Sequence, residues 1–122
     1  MKKNLIITVL TLISFCFVNA QDSSTKRADK LYDRFEFVKA AEKYLELVED
    51  GNENDYIIRK LADSYYNVYA SKEAEKWYAK IIKNKDPEVI YRYSQMLKAN
   101  GKYKESNKWM SSFSDMRPYD SR

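Results

Sequence analysis

The sequence predicts an all-α protein built from helix pairs in tandem behind an export segment. Three observations predict it. Small residues recur with a bulky residue at fixed offsets, residues suited to helix starts and stops fall between them, and the chain holds only two glycines and two prolines. The recurring set is Ala28, Ala40 and Tyr44, then Ala62, Ala74 and Tyr78 shifted by 34, then a weaker Ser94, Ser106 and Met110 shifted by a further 32. Self-similarity at such a period marks stacked supersecondary units that bury their apolar faces on one another.

The first element is not part of that stack. Lys2 and Lys3 precede an apolar run from Leu5 to Val18, and Val18-Asn19-Ala20 leads into Gln21. A basic start, a brief apolar stretch and a small residue before the cut describe a secretory signal peptide over 1–20, cleaved after Ala20. The run of 14 residues falls short of the ~20 that cross a bilayer, which disfavours an uncleaved anchor. Cys16 raises the alternative of a lipidated cysteine, but bulky Phe15 and Phe17 flank it where that cut wants small residues. Cleavage after Ala20 leaves 102 residues, enough for one domain (21–122), without cysteine. It also removes two of the 22 basic residues, leaving 20 against 18 acids, so a net charge of +4 becomes +2. The basic balance is mostly the export signal.

Six helices are expected, at about 24–34, 37–49, 55–69, 71–84, 87–99 and 103–115. Asn54 or Asp55, and Ser71, suit helix starts because a short polar side chain can accept from an unsatisfied backbone N–H. Asp86-Pro87-Glu88 supplies a cap, a proline where no hydrogen bond is lost, and an acid at the positive helix end. Gly51 and Gly101 suit helix ends that need a left-handed residue. The small residues let paired helices approach closely and the rings fill the space around them. One buried aromatic removes roughly 150 to 250 Å² from water, on the order of 4 to 6 kcal/mol as an upper bound. Tyr78, at the repeated spacing, is thus expected in the core. Its neighbour Trp77 either packs in the seam between pairs or offers a ring to a ligand, with packing favoured.

Spacing and residue types together resemble the tetratricopeptide repeat. The second unit carries the closest match: Ile58, Leu61, Ala62, Tyr65, Ala74 and Tyr78, closed by Pro87. The third has Ile90, Tyr93, Ser94 and Leu97, then Gly101, Tyr103, Ser106, Met110 and Pro118. The first keeps Ala28 and Leu31 but departs at Arg27. The resemblance spans nearly all of 21–120, as repeats at about 21–54, 55–86 and 87–120, and implies a short right-handed superhelix. It also implies that the first helix of each pair lines a concave groove for a protein or peptide segment. The groove residues would be Asp29, Tyr32 and Asp33, then Tyr56, Arg59, Asp63, Tyr66 and Asn67, then Tyr91, Gln95 and Lys98. Helical spacing places the middle set on one face independently. Tyrosines among mixed charges suit adaptable binding surfaces, although they can equally coat the surface or pack within the hairpins. The lysine and asparagine clamp by which some members hold a terminal carboxylate is not supported, since Thr25, Asp29, Arg59 and Asp63 stand there.

Other chemistry finds little footing. The absence of histidine and of a mature cysteine removes Ser-His and Cys-His nucleophiles and ordinary zinc sites. Two glycines make no phosphate loop. Asp50, Asn52 and Asn54 begin like a calcium loop, but Asp55 replaces its glycine and Leu61 its bidentate acid. The carboxylates sit beside lysines at helix-surface spacing, as in Glu42, Lys43 and Glu46 or Glu73 and Lys76, which reads as an ion-paired face before a catalytic dyad. Basic residues among tyrosines over 91–106 would suit single strands, but Tyr93 and Leu97 fall at core spacing and export removes most such targets.

The expected function is therefore an exported interaction scaffold that binds an envelope protein or peptide. It needs no cofactor or metal, performs no catalysis, engages no nucleic acid and meets a membrane only indirectly. Its oligomeric state is open. The alternatives are a cell-wall glycoside hydrolase with a carboxylate pair and a single-stranded nucleic-acid binder. Trp109, Met110 and Phe113 on the last helix, and Met116 just beyond it, call for cover, from a partner or from further chain. Signal peptide, repeats and the closing RPYDSR together resemble the N-terminal module of OmpA-like envelope proteins, in which repeats precede a propeller and a peptidoglycan-binding domain.

Overall fold

The computed structural model describes residues 23–122; the expected export segment over 1–20 lies outside the described residues. Within them the chain is helical, with no strand: α1 (23–33), α2 (Phe37–Glu49), α3 (Asp55–Asn67), α4 (Ser71–Ile81), a 3-10 turn (Ile82–Asn84), α5 (Pro87–Ala99) and α6 (Tyr103–Met116). From α2 onward each helix packs on the next, and α3 also touches α5. The Tyr44 hydroxyl ties α2 to Asp29 of α1.

Two helix starts follow the sequence chemistry closely. Asn54 is extended and its side chain accepts from the Ile57 N–H at 2.9 Å. Asp86 accepts from the N–H groups of Glu88 and Val89 at 2.9 and 3.3 Å, with Pro87 opening α5. Ser71 departs from expectation, because it is the first residue of α4 and not its cap. Its hydroxyl donates to Asn100 Oδ1 at 2.7 Å, and Asn100 Nδ2 returns a bond to the Ser71 carbonyl at 3.0 Å. That exchange ties the start of α4 to the turn before α6.

The turn inside each helix pair is the same structure three times. The N–H groups of Glu36, Ala70 and Lys102 reach the carbonyls of Leu31, Tyr65 and Leu97 at 3.0, 3.0 and 2.9 Å. Just before them sits a left-handed residue: Phe35 (φ 61°), Tyr69 (φ 57°) and Gly101 (φ 80°). This closure satisfies the last helical carbonyls. It also explains why α1 and α3 stop at 33 and 67, short of the expected 34 and 69, since a left-handed residue cannot continue a right-handed helix. Residues 82–84 tighten into a 3-10 turn that ends at left-handed Lys85 (φ 51°), whose N–H reaches the Ile82 carbonyl at 3.1 Å, so α4 ends at Ile81 where continuous helix to 84 was expected.

The repeated small residues are where close packing needs them. Ala28, Ala40, Ala62, Ala74, Ser94 and Ser106 are all buried. The serines of the third pair cover their hydroxyls internally, Ser106 Oγ on the Ser94 carbonyl at 2.8 Å and Ser94 Oγ on the Tyr91 carbonyl at 2.6 Å. Tyr44 and Tyr78 are fully buried, whereas Met110 is only half-buried and Phe113 fills the third pair in its place. Trp77 is buried in the same core, and the ammonium groups of Lys76 and Lys80 lie 5.0 and 4.9 Å from its ring. Its ring is packed, not presented. On α6, Trp109 is half-buried with its ring 6.1 Å from that of Tyr93, and Met116 is exposed.

Ala62 has no exposed surface, so Ala62→Leu must force its helices apart. We expect a loss of about 1 to 3 kcal/mol, read as a lower thermal midpoint by far-ultraviolet circular dichroism with helicity retained at low temperature. An unchanged midpoint would show that this contact is not close-packed.

Candidate functional site

Side chains of α1, α3 and α5 meet on one side of the molecule, and charge organises that face from within. Asp63 of α3 is only 6% exposed. Its carboxylate accepts the Tyr78 hydroxyl from α4, meets Arg92 of α5 at 3.0 Å, and has Arg59 Nε one turn away at 3.7 Å. Arg59 also reaches Asp86, the α5 cap, at 2.8 Å. Two ion pairs thus cross between α3 and α5 in opposite senses. The Tyr–Asp bond recurs 34 residues earlier as Tyr44 to Asp29. In the third pair the corresponding contact is Gln95 Nε2 to Met110 Sδ at 3.8 Å, a weak neutral substitute.

The electrostatics follow from this arrangement. Burial, and then the Asp63 charge and hydrogen bond, push the Tyr78 hydroxyl far above its usual range. Burial and Asp29 do the same to Tyr44. Tyr56 is raised to about 12 by burial and by the nearby carboxylates of Asp29 and Asp33. Burial lowers the Arg92 value, but the Asp63 charge and its neighbour Tyr78 outweigh it, so the guanidinium stays charged throughout. Burial works against ionised Asp86, yet the Val89 amide, Arg59 and the Glu88 amide together hold its carboxyl below the usual 3.8.

The expected groove residues divide on this face. Asp29 and Tyr32 are half-buried and Asp33 is exposed. The Lys60 ammonium lies 4.0 Å from the Tyr32 ring and 5.8 Å from that of Tyr56. Arg59 is engaged as described, and Asp63, expected on the groove surface, is interior because it accepts from Tyr78. Asn67 is exposed, with its amide on the Asp63 carbonyl at 2.7 Å. Tyr66 packs edge-on against Tyr78 with 6.3 Å between rings, under the Arg92 guanidinium at 5.0 Å. Tyr91 lies 5.4 Å from the Phe113 ring and 4.5 Å from the Arg122 guanidinium.

Four of the expected residues come together in one place. Tyr66, Tyr91, Gln95 and Lys98 line an open recess of about 500 Å³, completed by Tyr69, Met96, Ala99 and Tyr103. Tyr69 and Tyr103 are 84% and 61% exposed and were not among the expected groove residues, Tyr103 having been read only as part of the repeat pattern. Their signal was their place beside a helix-pair turn, not a helical periodicity. Arg92 was missed as well. Only its equivalence to Lys60, 32 residues earlier, could have flagged it. The arrangement offers tyrosine rings, hydroxyls and one ammonium to a ligand. Among the described residues no group of three or more acids and other metal-binding side chains is placed to hold an ion, and no helix is long and apolar enough to cross a membrane.

Removing the Tyr78 hydroxyl leaves the buried Asp63 one donor short. Tyr78→Phe should lose about 1 to 3 kcal/mol in denaturant unfolding. Tyr44→Phe should lose less, since half-buried Asp29 can recover water. Asp86 yields a pH prediction. Its folded value is depressed, so its contribution is present above 3.8 and is lost as pH falls below it. The stability gap between the wild-type chain and Asp86→Asn should accordingly narrow through acid denaturation in that window; a constant gap would refute the ionic role.

Compared with models of known protein families and with curated proteins, the chain matches none of them.

Proposed function

We propose that this chain is an exported scaffold of tetratricopeptide type whose α1–α3–α5 face binds a protein or peptide segment of the cell envelope. The observation that carries the reading is the tyrosine recess, which gathers four exposed or half-exposed tyrosines from three helices and one turn. Tyrosine brings contact area and a hydrogen bond at small entropic cost, as adaptable polypeptide-binding surfaces require. The repeat assignment is supported by the recurrence of the Tyr–Asp bond at 34 residues, of the buried small residues, and of one turn structure in three pairs. In this reading the pairs form a short right-handed superhelix and 1–20 is a cleaved signal peptide. The likeness to the front module of OmpA-like envelope proteins belongs to the same proposal.

The catalytic alternative is less well supported. A glycosidase needs one carboxyl that holds a proton near neutral pH. Arg59 bridges Asp63 and Asp86, and Arg122 bridges Glu88 and Asp120. Asp86 is held ionised, which suits bracing and not proton donation.

Tyr69 gives the sharpest test, because it combines a left-handed backbone with near-full exposure. A non-glycine residue there is strained by roughly 1 to 2 kcal/mol, and glycine returns about 0.5 to 1 of that as entropy. Tyr69→Gly should therefore unfold at the same or a slightly higher denaturant concentration while capturing less of any partner cross-linked in the envelope fraction. Phe35→Gly, at the equivalent turn away from the recess, should match it in stability and leave capture unchanged. Equal capture by wild-type chain and Tyr69→Gly would remove the recess from the binding surface.

A further inference from the structure

The segment after α6 turns back on the third helix pair and seats one side chain there. The Arg122 guanidinium lies 4.5 Å from the Tyr91 ring and 5.4 Å from the Phe113 ring. Its two terminal nitrogens bond both oxygens of Glu88, Nη1 to Oε2 at 3.0 Å and Nη2 to Oε1 at 2.5 Å. Asp120, on the same segment, accepts from Nη2 at 2.9 Å and from Nε at 3.0 Å. A forked acid and two aromatic rings form a receptor for a flat, five-donor cation.

The receptor and its occupant differ in how they are held. Glu88 and Tyr91 stand on α5 and Phe113 on α6, and Phe113 is buried. Arg122 comes from an irregular segment, and its side chain remains 36% exposed. Exposed ion pairs contribute little to stability, so this one can exchange. The same face uses the same chemistry twice more: Lys60 of α3 covers Tyr32 of α1, and Arg92 of α5 covers Tyr66 of α3. In both cases a cation from the following helix pair covers a tyrosine of the preceding one. Lys60 and Arg92 are built into helices, whereas Arg122 is not. The third case is also out of register, because Lys98 and not Tyr91 stands at the position equivalent to Tyr32 and Tyr66. Tyr91 lines the recess as well, so a chain lying in the recess can reach this receptor.

We propose that Glu88, Tyr91 and Phe113 form a guanidinium site that takes an arginine of a bound polypeptide in exchange for Arg122. This deepens the binding reading above and rests on it. It specifies the partner chemistry as an arginine-bearing segment laid along the recess, with the protein's own Arg122 holding the site until the partner arrives.

The test uses the full chain and N-acetyl-arginine amide as probe, followed by nuclear magnetic resonance of the Tyr91 and Phe113 rings. In the wild-type protein the probe competes with a tethered arginine at about millimolar effective concentration. Arg122→Ala should therefore half-saturate at a lower probe concentration, by about twofold for a site of millimolar affinity, and Arg122→Lys should fall between the two. Adding Glu88→Gln to Arg122→Ala should abolish the ring shifts, and N-acetyl-lysine amide should bind Arg122→Ala more weakly than the arginine probe. Equal half-saturation in wild type and Arg122→Ala overturns the proposal, as does equal binding of the two probes. Circular dichroism confirms that the variants keep their helices. Because no partner enters this titration, its failure leaves the Tyr69 capture experiment standing, and a failure of capture leaves the titration readable.

Discussion

Asp63 is a carboxylate carried into the protein, and three helices have to agree on its position. A buried charge without partners costs several kcal/mol. Here α4 supplies a hydroxyl through Tyr78, α5 supplies a guanidinium through Arg92, and α3 itself brings Arg59 to 3.7 Å. Hydrophobic packing of alanines and tyrosines tolerates small slides of one helix along another. A charge with three directed partners does not. The pairing of α3 with α4 and the placement of α5 beside α3 are thereby fixed by the same oxygen, Oδ1. The opposed Arg59–Asp86 pair adds a second tie that also reaches the α5 cap.

The brace weakens towards both ends of the described chain. At Asp29 the tyrosine partner remains, but the acid is only half-buried, and Lys60, equivalent to Arg92, lies over the Tyr32 ring. In the third pair the acid has become Gln95 and the tyrosine Met110, leaving a long N–H···S contact. Compensation comes from elsewhere. Ser94 and Ser106 bond backbone carbonyls, Ser71 and Asn100 clasp α4 to the last turn, and Arg122 ties the final segment to Glu88. Polar contacts therefore take over where the alanine and tyrosine pattern thins out.

That gradient explains what was legible in the sequence. Small residues at fixed offsets revealed the helices and the core, because close approach leaves only a few side chains admissible at Ala62 or Ala74. Asn54 and Asp86 were readable as caps because their task is local. Asp63 was not readable as interior, since its burial depends on Tyr78 and Arg92, which lie 15 and 29 residues away. The helical pattern gives it the face of Tyr66 and Arg59, and only the tertiary partners draw it inward. Ser71 likewise looked like a cap until Asn100 claimed its hydroxyl. The recess was half legible: Tyr66, Tyr91, Gln95 and Lys98 share helical faces, while Tyr69 sits at a turn where no periodicity applies and Tyr103 only opens α6.

The turns carry one further step. Three equivalent positions need a left-handed residue, and only one of them, Gly101, holds the residue suited to it. Phe35 and Tyr69 are strained and at the same time largely exposed, 79% and 84%, so burial of the ring does not repay the strain. Phe35 keeps a local reason, an edge-on contact with Phe37 at 5.9 Å. Tyr69 borders the recess, where its ring faces whatever enters. Strain held at an exposed position points to a role outside the fold's own stability. Of the residues on this face, Tyr69 is the one whose presence folding explains least.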